Sequence, residues 1–318
     1  MKRIFIIFLV LVSLYVIATT AYQWLPLGSS ASNGKVGSNI EEIAIELEGA
    51  NATIQRTSGD DLETEIEGKG EVNVTEEGDT LKIKYERKFW FSSPFNRTAT
   101  IVIHVPETFD RTLSIRGGSG TIDVNGENDW QLDEMDVKLG SGKINVQNIL
   151  AETVSLEATS GVMSVDGIEA KVSDFSISSG KADINNVTAE SVSLKASSGR
   201  IDGDSITADD IKANLSSGDF SLDNMTGGLT GELSSGRLTA SFKEVTDDID
   251  LRASSGRLQL DLPDDGDYTI NGEYNSGHIS ANLPLENKSE SDDGFTGKSG
   301  AGTHEVNVRV TSGSAEIN

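Results

Sequence analysis

Lys143, Lys181, Arg200, Arg237 and Arg257 each stand immediately after a Ser-Gly dipeptide. Thr121, Val162, Asp219, His278 and Ser314 take that place after the other five dipeptides. Half of one sequence position is therefore basic in a chain where 26 of 318 residues are Lys or Arg. Side chains at one repeat position form a row if the repeats stack. A basic row on an acidic protein suits a repeating anion such as a wall polymer. Charge balance is the competing reading. Asp123, Asp183 and Asp202, two places further on, stand where they can pair with the row, and surface pairs of this kind contribute little. Lys143, Lys181, Arg200, Arg237, Arg257 and His278 are the candidate ligand-binding residues.

Other chemistry finds little support. The three histidines, His104, His278 and His304, lie on different elements and lack the spacing of a helical metal motif. There is no Gly-x-Ser-x-Gly nucleophile elbow. Gly297-Lys298-Ser299 lacks the upstream glycine of a phosphate loop, with Asp292 in that place. Gly117-Gly118-Ser119-Gly120-Thr121-Ile122-Asp123 departs from a calcium-binding repeat by one residue and does not recur every nine. Asp209-Asp210, Asp247-Asp248-Asp250, Asp264-Asp265-Asp267 and Asp292-Asp293 are acid clusters without a full Ca²⁺ ligand spacing. No catalytic residue, cofactor site or metal site is assigned.

The elements that must position the row are set by a repeat. The glycines are Gly120, Gly142, Gly161, Gly180, Gly199, Gly218, Gly236, Gly256 and Gly277, stepped by 22, 19, 19, 19, 19, 18, 20 and 21 residues. Gly313 follows 36 residues later, a distance read as two periods. Apolar residues occupy the positions seven, five and three before each glycine, and two and four after it. Val192, Leu194, Ala196, Ile201 and the +7 residue Ile206 illustrate the slots. Spacing by two is the strand period. The step of five across the Ser-Gly marks a corner, where glycine reaches positive φ and serine bonds nearby backbone. A second corner falls near Asn185-Asn186 or Asp204-Ser205. Ser173, Gly203, Ala213, Gly231 and Gly272 are small or polar in core slots, which local volume adjustment can absorb. Units this short bury a core only by stacking. The expected fold is all-β, a single-stranded parallel β-helix (β-solenoid) with coils of about 19 residues, right-handed by the general rule for parallel crossovers. An antiparallel sandwich is the alternative fold.

Lys2-Arg3 precede an uncharged segment from Ile4 to Ala21, followed by Tyr22 and Trp24. As a helix it is about 27 Å long, close to a bilayer core. Residues 1–27 are expected to be a signal anchor with the basic pair inside, and a cleaved signal peptide is the alternative. The expected organisation continues with a flexible linker at 28–39 and irregular capping strands at 40–112. Solenoid repeats follow at 113–318, with a loop insertion at 285–305. The aromatic segment Lys88-Phe89-Trp90-Phe91-Ser92-Ser93-Pro94-Phe95 reads as an end plug or as a partner-binding loop.

The chain has no cysteine, which excludes disulfides and thiolate metal sites. Fifty-one acidic residues bring the net charge to −25, which argues against nucleic-acid binding.

The membrane segment, the strand Thr80-Leu81-Lys82-Ile83-Lys84, the strand Thr100-Ile101-Val102-Ile103-His104-Val105-Pro106 and the serial Ser-Gly corners together resemble the bacterial putative-adhesin β-strand repeat family. That family includes the LiaG-type proteins of envelope stress systems. The resemblance spans residues 40–318. It implies an exported, membrane-attached β-helix of unknown function, near an envelope stress response and without established enzymatic activity. The expected function is thus a non-enzymatic, adhesin-like interaction module of the cell envelope, single-pass in the cell membrane with its C-terminal domain outside the cytoplasm. Its expected partner is an envelope protein or an anionic wall polymer. A polysaccharide-acting β-helix enzyme and a self-assembling structural solenoid are the alternatives.

Overall fold

The computed structural model describes residues 32–87 and 98–318. The N-terminal segment expected to span the membrane and the aromatic segment from Lys88 to Phe95 lie outside them. Among the described residues the chain is strand, turn and bend, and no helix is long and apolar enough to cross a membrane.

Parallel pairing of one coil with the next is the dominant theme. Lys181–Asn185 pairs with Arg200–Asp204, Val187–Ala189 with Ile206–Ala208, and Ser191–Ala196 with Asp210–Leu215. The next two coils continue in the same way. This is the solenoid the repeat predicts. From Thr112 to Ala196 the ladder is unbroken, because the corners also take part in layer-to-layer hydrogen bonding, as they do in later coils. Ser198 N, for example, donates to Ser178 O at 2.8 Å, and Arg237 N to Gly218 O at 2.9 Å. Backbone groups at the bends are thereby satisfied without water.

Two positions make the bends. The Ser-Gly glycines lie one over another: a methyl group on Gly142 or Gly161 would collide with the carbonyl of Gly120 or Gly142, and one on Gly277 would lie 2.6 Å from Gly313 O. The second corner is the sixth residue after the glycine. Asn148, Gly167, Asn186, Ser205 and Asn224 all stand there with φ between 52° and 71°. Asparagine tolerates this left-handed conformation better than most residues. Asn186 Nδ2 donates to Asp166 Oδ1, and Asn224 Nδ2 to Asp204 Oδ1, both at 2.7 Å. These two corners are thus tied to an earlier coil.

The stack is not in sequence order at its ends. Arg257–Leu260 pairs with Ser314–Ile317, and His278–Ala281 pairs with the other edge of that same strand. Ile249–Ala253 and Ile270–Tyr274 likewise flank Val306–Val310. The last coil of the sequence is therefore inserted between the Gly256 and Gly277 coils. The 36-residue step is not two periods but an outward excursion and a return. At the other end Glu42–Leu47 is flanked by Thr80–Tyr85 and Thr112–Gly117, so the first coil is also internal.

Antiparallel strands finish both ends. Glu71–Glu77 pairs with Thr80–Glu86, and Glu63–Glu67 with Thr100–His104. The linker shortens, because Ser32–Lys35 is a strand against Asp61–Thr64. Buried Thr64 explains the attachment: its hydroxyl donates to Ser32 O at 2.8 Å and accepts from Ser32 N at 3.2 Å. At the C-terminal end the insertion is a hairpin of Glu286–Ser291 and Gly294–Ser299, the latter paired with Tyr268–Glu273. A polar sequence makes strands here because the outermost coil presents unpaired backbone groups. His278–Ala281 remains paired on its inner side only.

The apolar slots form one continuous core from Ile40 to Ile317. Small residues are compensated by neighbours. A methyl group on Gly231 would lie 2.6 Å from Leu251 Cδ2, and one on Gly272 would lie 2.5 Å from Phe295 Cε1, which the hairpin contributes. Ser173 is fully buried and its hydroxyl has no hydrogen-bond partner among the described residues.

Leu194 is fully buried, whereas neighbouring Lys195 is exposed and faces Asp174 at 3.4 Å. Leu194→Asp should unfold the middle coils, a loss of roughly 4 kcal/mol or more for an unpaired charge in the core. Lys195→Asp should change the thermal midpoint little. Equal midpoints for the two variants would refute the slot assignment. A second test is alkaline. Burial, aided by Asp265 and Asp267, pushes the Tyr268 phenol up to about 12. The folded value lies above the unfolded one near 10, so this contribution is complete below pH 10 and lost as pH rises towards 12. Tyr268→Phe should reduce the fall in thermal midpoint between pH 9 and 12.

Candidate functional site

The basic row occupies the edge just past the Ser-Gly corner. Register places Lys181, Arg200, Asp219, Arg237, Arg257, Ser314 and His278 in successive layers. Neighbouring layers are separated by ~4.8 Å. Stacking in sequence order would place His278 next to Arg257. The inserted last coil corrects this, since Ser314 separates them. His278 instead stands near Tyr274, with ring centroids 6.5 Å apart. Lys143 is exposed further along the same glycine column, between the coils of Thr121 and Val162.

The row divides electrostatically. Lys181 bonds Asp183 and also reaches Asp202 at 3.2 Å. Arg200 Nε donates to Asp202 Oδ1 at 2.7 Å. Hydrogen bonds to Asp183 and then Asp202 hold the Lys181 ammonium above its ordinary pKa, and the bond to Asp202 raises Arg200. In this half the row is charge-balanced by acids three places after the glycine.

The Gly236 and Gly256 coils lack those acids, and the next layer regains one in Glu316. The equivalent residues are Thr239 in the Gly236 coil and Gln259 in the Gly256 coil. Gln259 turns its amide towards Asp261. Among the described residues Arg237 approaches only Asp219, at 3.8 Å. Arg257 has no ion-pair partner among the described residues. The two arginines rim an open groove of about 500 Å³. Gly236, Gly256, Gly313, Ser255, Ser312 and Ser314 also line it, and so does Asp219. Such a surface can hold an oxyanion through guanidinium and hydroxyl donors. The missing +3 acids were visible in the sequence, but only the register shows that they coincide with stacked arginines.

The opposite side of the corner carries a second ion-pair set. Asp136 lies between Arg116 at 3.4 Å and Lys138 at 3.2 Å, and Asp250 between Arg252 at 2.9 Å and Arg309 at 3.6 Å. A larger polar groove of about 710 Å³ opens where the terminal hairpin meets the outer coils, lined by residues including Asn271, Tyr274 and Arg309. Sequence reasoning missed it, because the hairpin pairing that forms it was expected to be a loop. His104 Nδ1 is hydrogen-bonded to Gln55 Nε2 at 3.1 Å, within neighbouring strands. Among the described residues no group of three or more His, Asp or Glu side chains is placed to hold a metal.

The family model described as Toastrack DUF4097 matches residues 40–202 and 178–318. Several solved structures are similar. A putative adhesin from Bacteroides fragilis is 13% identical, with 92% of this chain and 98% of that chain covered and a TM-score of 0.42. A putative adhesin from Parabacteroides distasonis is 13% identical, with 92% and 97% covered and a TM-score of 0.46. A putative cell adhesion protein from Clostridium sporogenes is 13% identical, with 91% and 99% covered and a TM-score of 0.24. No curated protein matches the sequence.

Asp202 is shared by Lys181 and Arg200, yet all three are at least partly exposed. Asp202→Asn should therefore leave the urea midpoint nearly unchanged, as expected of solvent-screened pairs. A large drop in that midpoint would mean that the pairs hold the stack together.

Proposed function

We propose that this chain, which belongs to the Toastrack DUF4097 family, is a non-enzymatic, adhesin-like interaction module displayed outside the cytoplasmic membrane. Its N-terminal apolar segment is the tether. The solenoid is the displayed surface, and its partner is an envelope protein or an extended anionic polymer. The observation that carries the reading is the repetition of outward side chains at one-layer spacing along a continuous core. An extended partner meets equivalent groups layer after layer, so weak contacts sum along the edge.

Two features weigh against the alternatives. A polysaccharide-acting site requires paired carboxylates working across a bound sugar. The acids along the row, Asp183, Asp202 and Asp219, are instead engaged with its cations. End-to-end assembly requires exposed pairing edges. The outer strands Glu71–Glu77 and Glu286–Ser291 carry several glutamates on a protein of net charge −25, which disfavours stacking of copies.

The reading is tested in cells stripped of their wall. External protease should degrade the solenoid. The protein should stay with the membrane after a high-salt wash and keep its first residues. A mature chain beginning at Thr19 or Tyr22 would remove the tether, and protection from protease would remove the external location.

A further inference from the structure

We propose that the Arg237–Arg257 groove is a binding site for the phosphate groups of a linear phosphate-bearing polymer. The inference deepens the display reading above and rests on it only for the biological source of the ligand.

Three observations converge on this stretch. Arg237 and Arg257 are direct register partners on neighbouring strands. Like charges so close repel unless something negative lies between them. Elsewhere in the row that role belongs to the acid three places after the glycine, through Asp183 and Asp202. Thr239 and Gln259 replace it in these two coils alone among the coils with Lys181, Arg200, Arg237 or Arg257 in the row. Asp219, 3.8 Å from Arg237, also lines the groove, and Glu316 stands three places after Gly313 in the next layer, so the lining itself carries two arginines against one carboxylate. The lining is positive by one charge, two arginines against Asp219, on a chain of net charge −25.

The shape fits the chemistry. The inserted last coil brings Ser312 and Ser314 beside Arg257, where the expected stacking order would have placed His278. Ser255, Ser312 and Ser314 add hydroxyl donors to two guanidinium forks. Guanidinium pairs match the several oxygens of a phosphate better than a point charge does. The floor is glycine backbone, from Gly236, Gly256 and Gly313, so an anion can approach closely. The groove is open along the edge, which admits a chain rather than a small enclosed ligand. Lys143 also lacks an ion-pair partner among the described residues, but its row neighbours are Thr121 and Val162, and it forms no such pair.

The test uses the purified full-length protein in detergent, so its outcome is independent of where the protein resides in the cell. Linear polyphosphate is titrated by calorimetry at 50 and 300 mM salt, with polyglutamate as a carboxylate polymer of the same sign. The unaltered protein should bind polyphosphate, more weakly at the higher salt. Arg237→Gln with Arg257→Gln should weaken binding at least tenfold and reduce its salt dependence. Arg257→Lys should fall between the two, because it keeps the charge and loses the fork. Lys195→Gln with Lys212→Gln removes the same charge from another face and should bind within twofold of the unaltered protein. Thermal melting of each variant confirms that the exposed substitutions leave the stack intact. No binding by the unaltered protein, equal loss in the Lys195/Lys212 variant, or equal affinity for polyglutamate would each overturn the proposal.

Discussion

Most Ser-Gly glycines lie against the carbonyl of the glycine one layer away, and at Gly142, Gly161, Gly180, Gly218, Gly236 and Gly313 only hydrogen fits between them. This contact constrains everything else in the molecule. It brings the corners close enough for backbone bonds to pass from layer to layer through the bend. With the corners joined, the flanking strands keep one register, and the apolar slots of successive coils face the same interior. A side chain at the corner would push the layers apart there and break both the ladder and the core. The asparagine corner does the same work with a different solution. Its left-handed residues need no close approach, and their amides reach across to acids on earlier coils.

A solenoid built this way has a problem at its ends, since any terminal coil exposes unpaired backbone and apolar side chains. Here neither terminal coil of the sequence is terminal in space. The first coil, from Glu42, lies inside the stack, and the chain then runs out to the cap and returns. At the C-terminus it runs out through the Gly277 coil, turns back through the hairpin, and ends inside. Both edges of the first and last coils are therefore paired, which protects the parts of a chain most prone to fray. The same insertion alters the surface, because it interrupts the basic row with a serine and carries His278 outward. End protection and groove chemistry are thus consequences of one topological choice.

The charged surface follows a simpler logic. Where a cation of the row has an acid three places after its glycine, the two neutralise one another. Lys181 and Arg200 illustrate this with Asp183 and Asp202. Where that acid is absent the balance is looser: Arg237 reaches only the more distant Asp219, and Arg257 has no ion-pair partner among the described residues. A repeat protein can change its surface in this piecemeal way without disturbing its core, since outward positions carry no packing constraint.

Much of this was legible in the residues themselves. The 19-residue recurrence and its period-two arms determine an all-β stack. The inward slots follow from alternation, as Leu194 and Ile201 show, and the second corner follows from Asn186 and Ser205. The family follows from the same pattern. These features are local, and each repeat states them again. The order of coils at the ends belongs to the tertiary structure alone. Every coil offers much the same edge, so sequence proximity cannot say whether Ser314 pairs beside Arg257 or beyond His278. That choice is made by the need to satisfy the last edges, which no single repeat encodes. The hairpin at Glu286–Ser299 was hidden for the same reason, since its polar residues become strands only against an open coil. The candidate groove shares both origins: its arginines are written in the sequence, and their unbalanced stacking beside Ser314 exists only in the assembled layers.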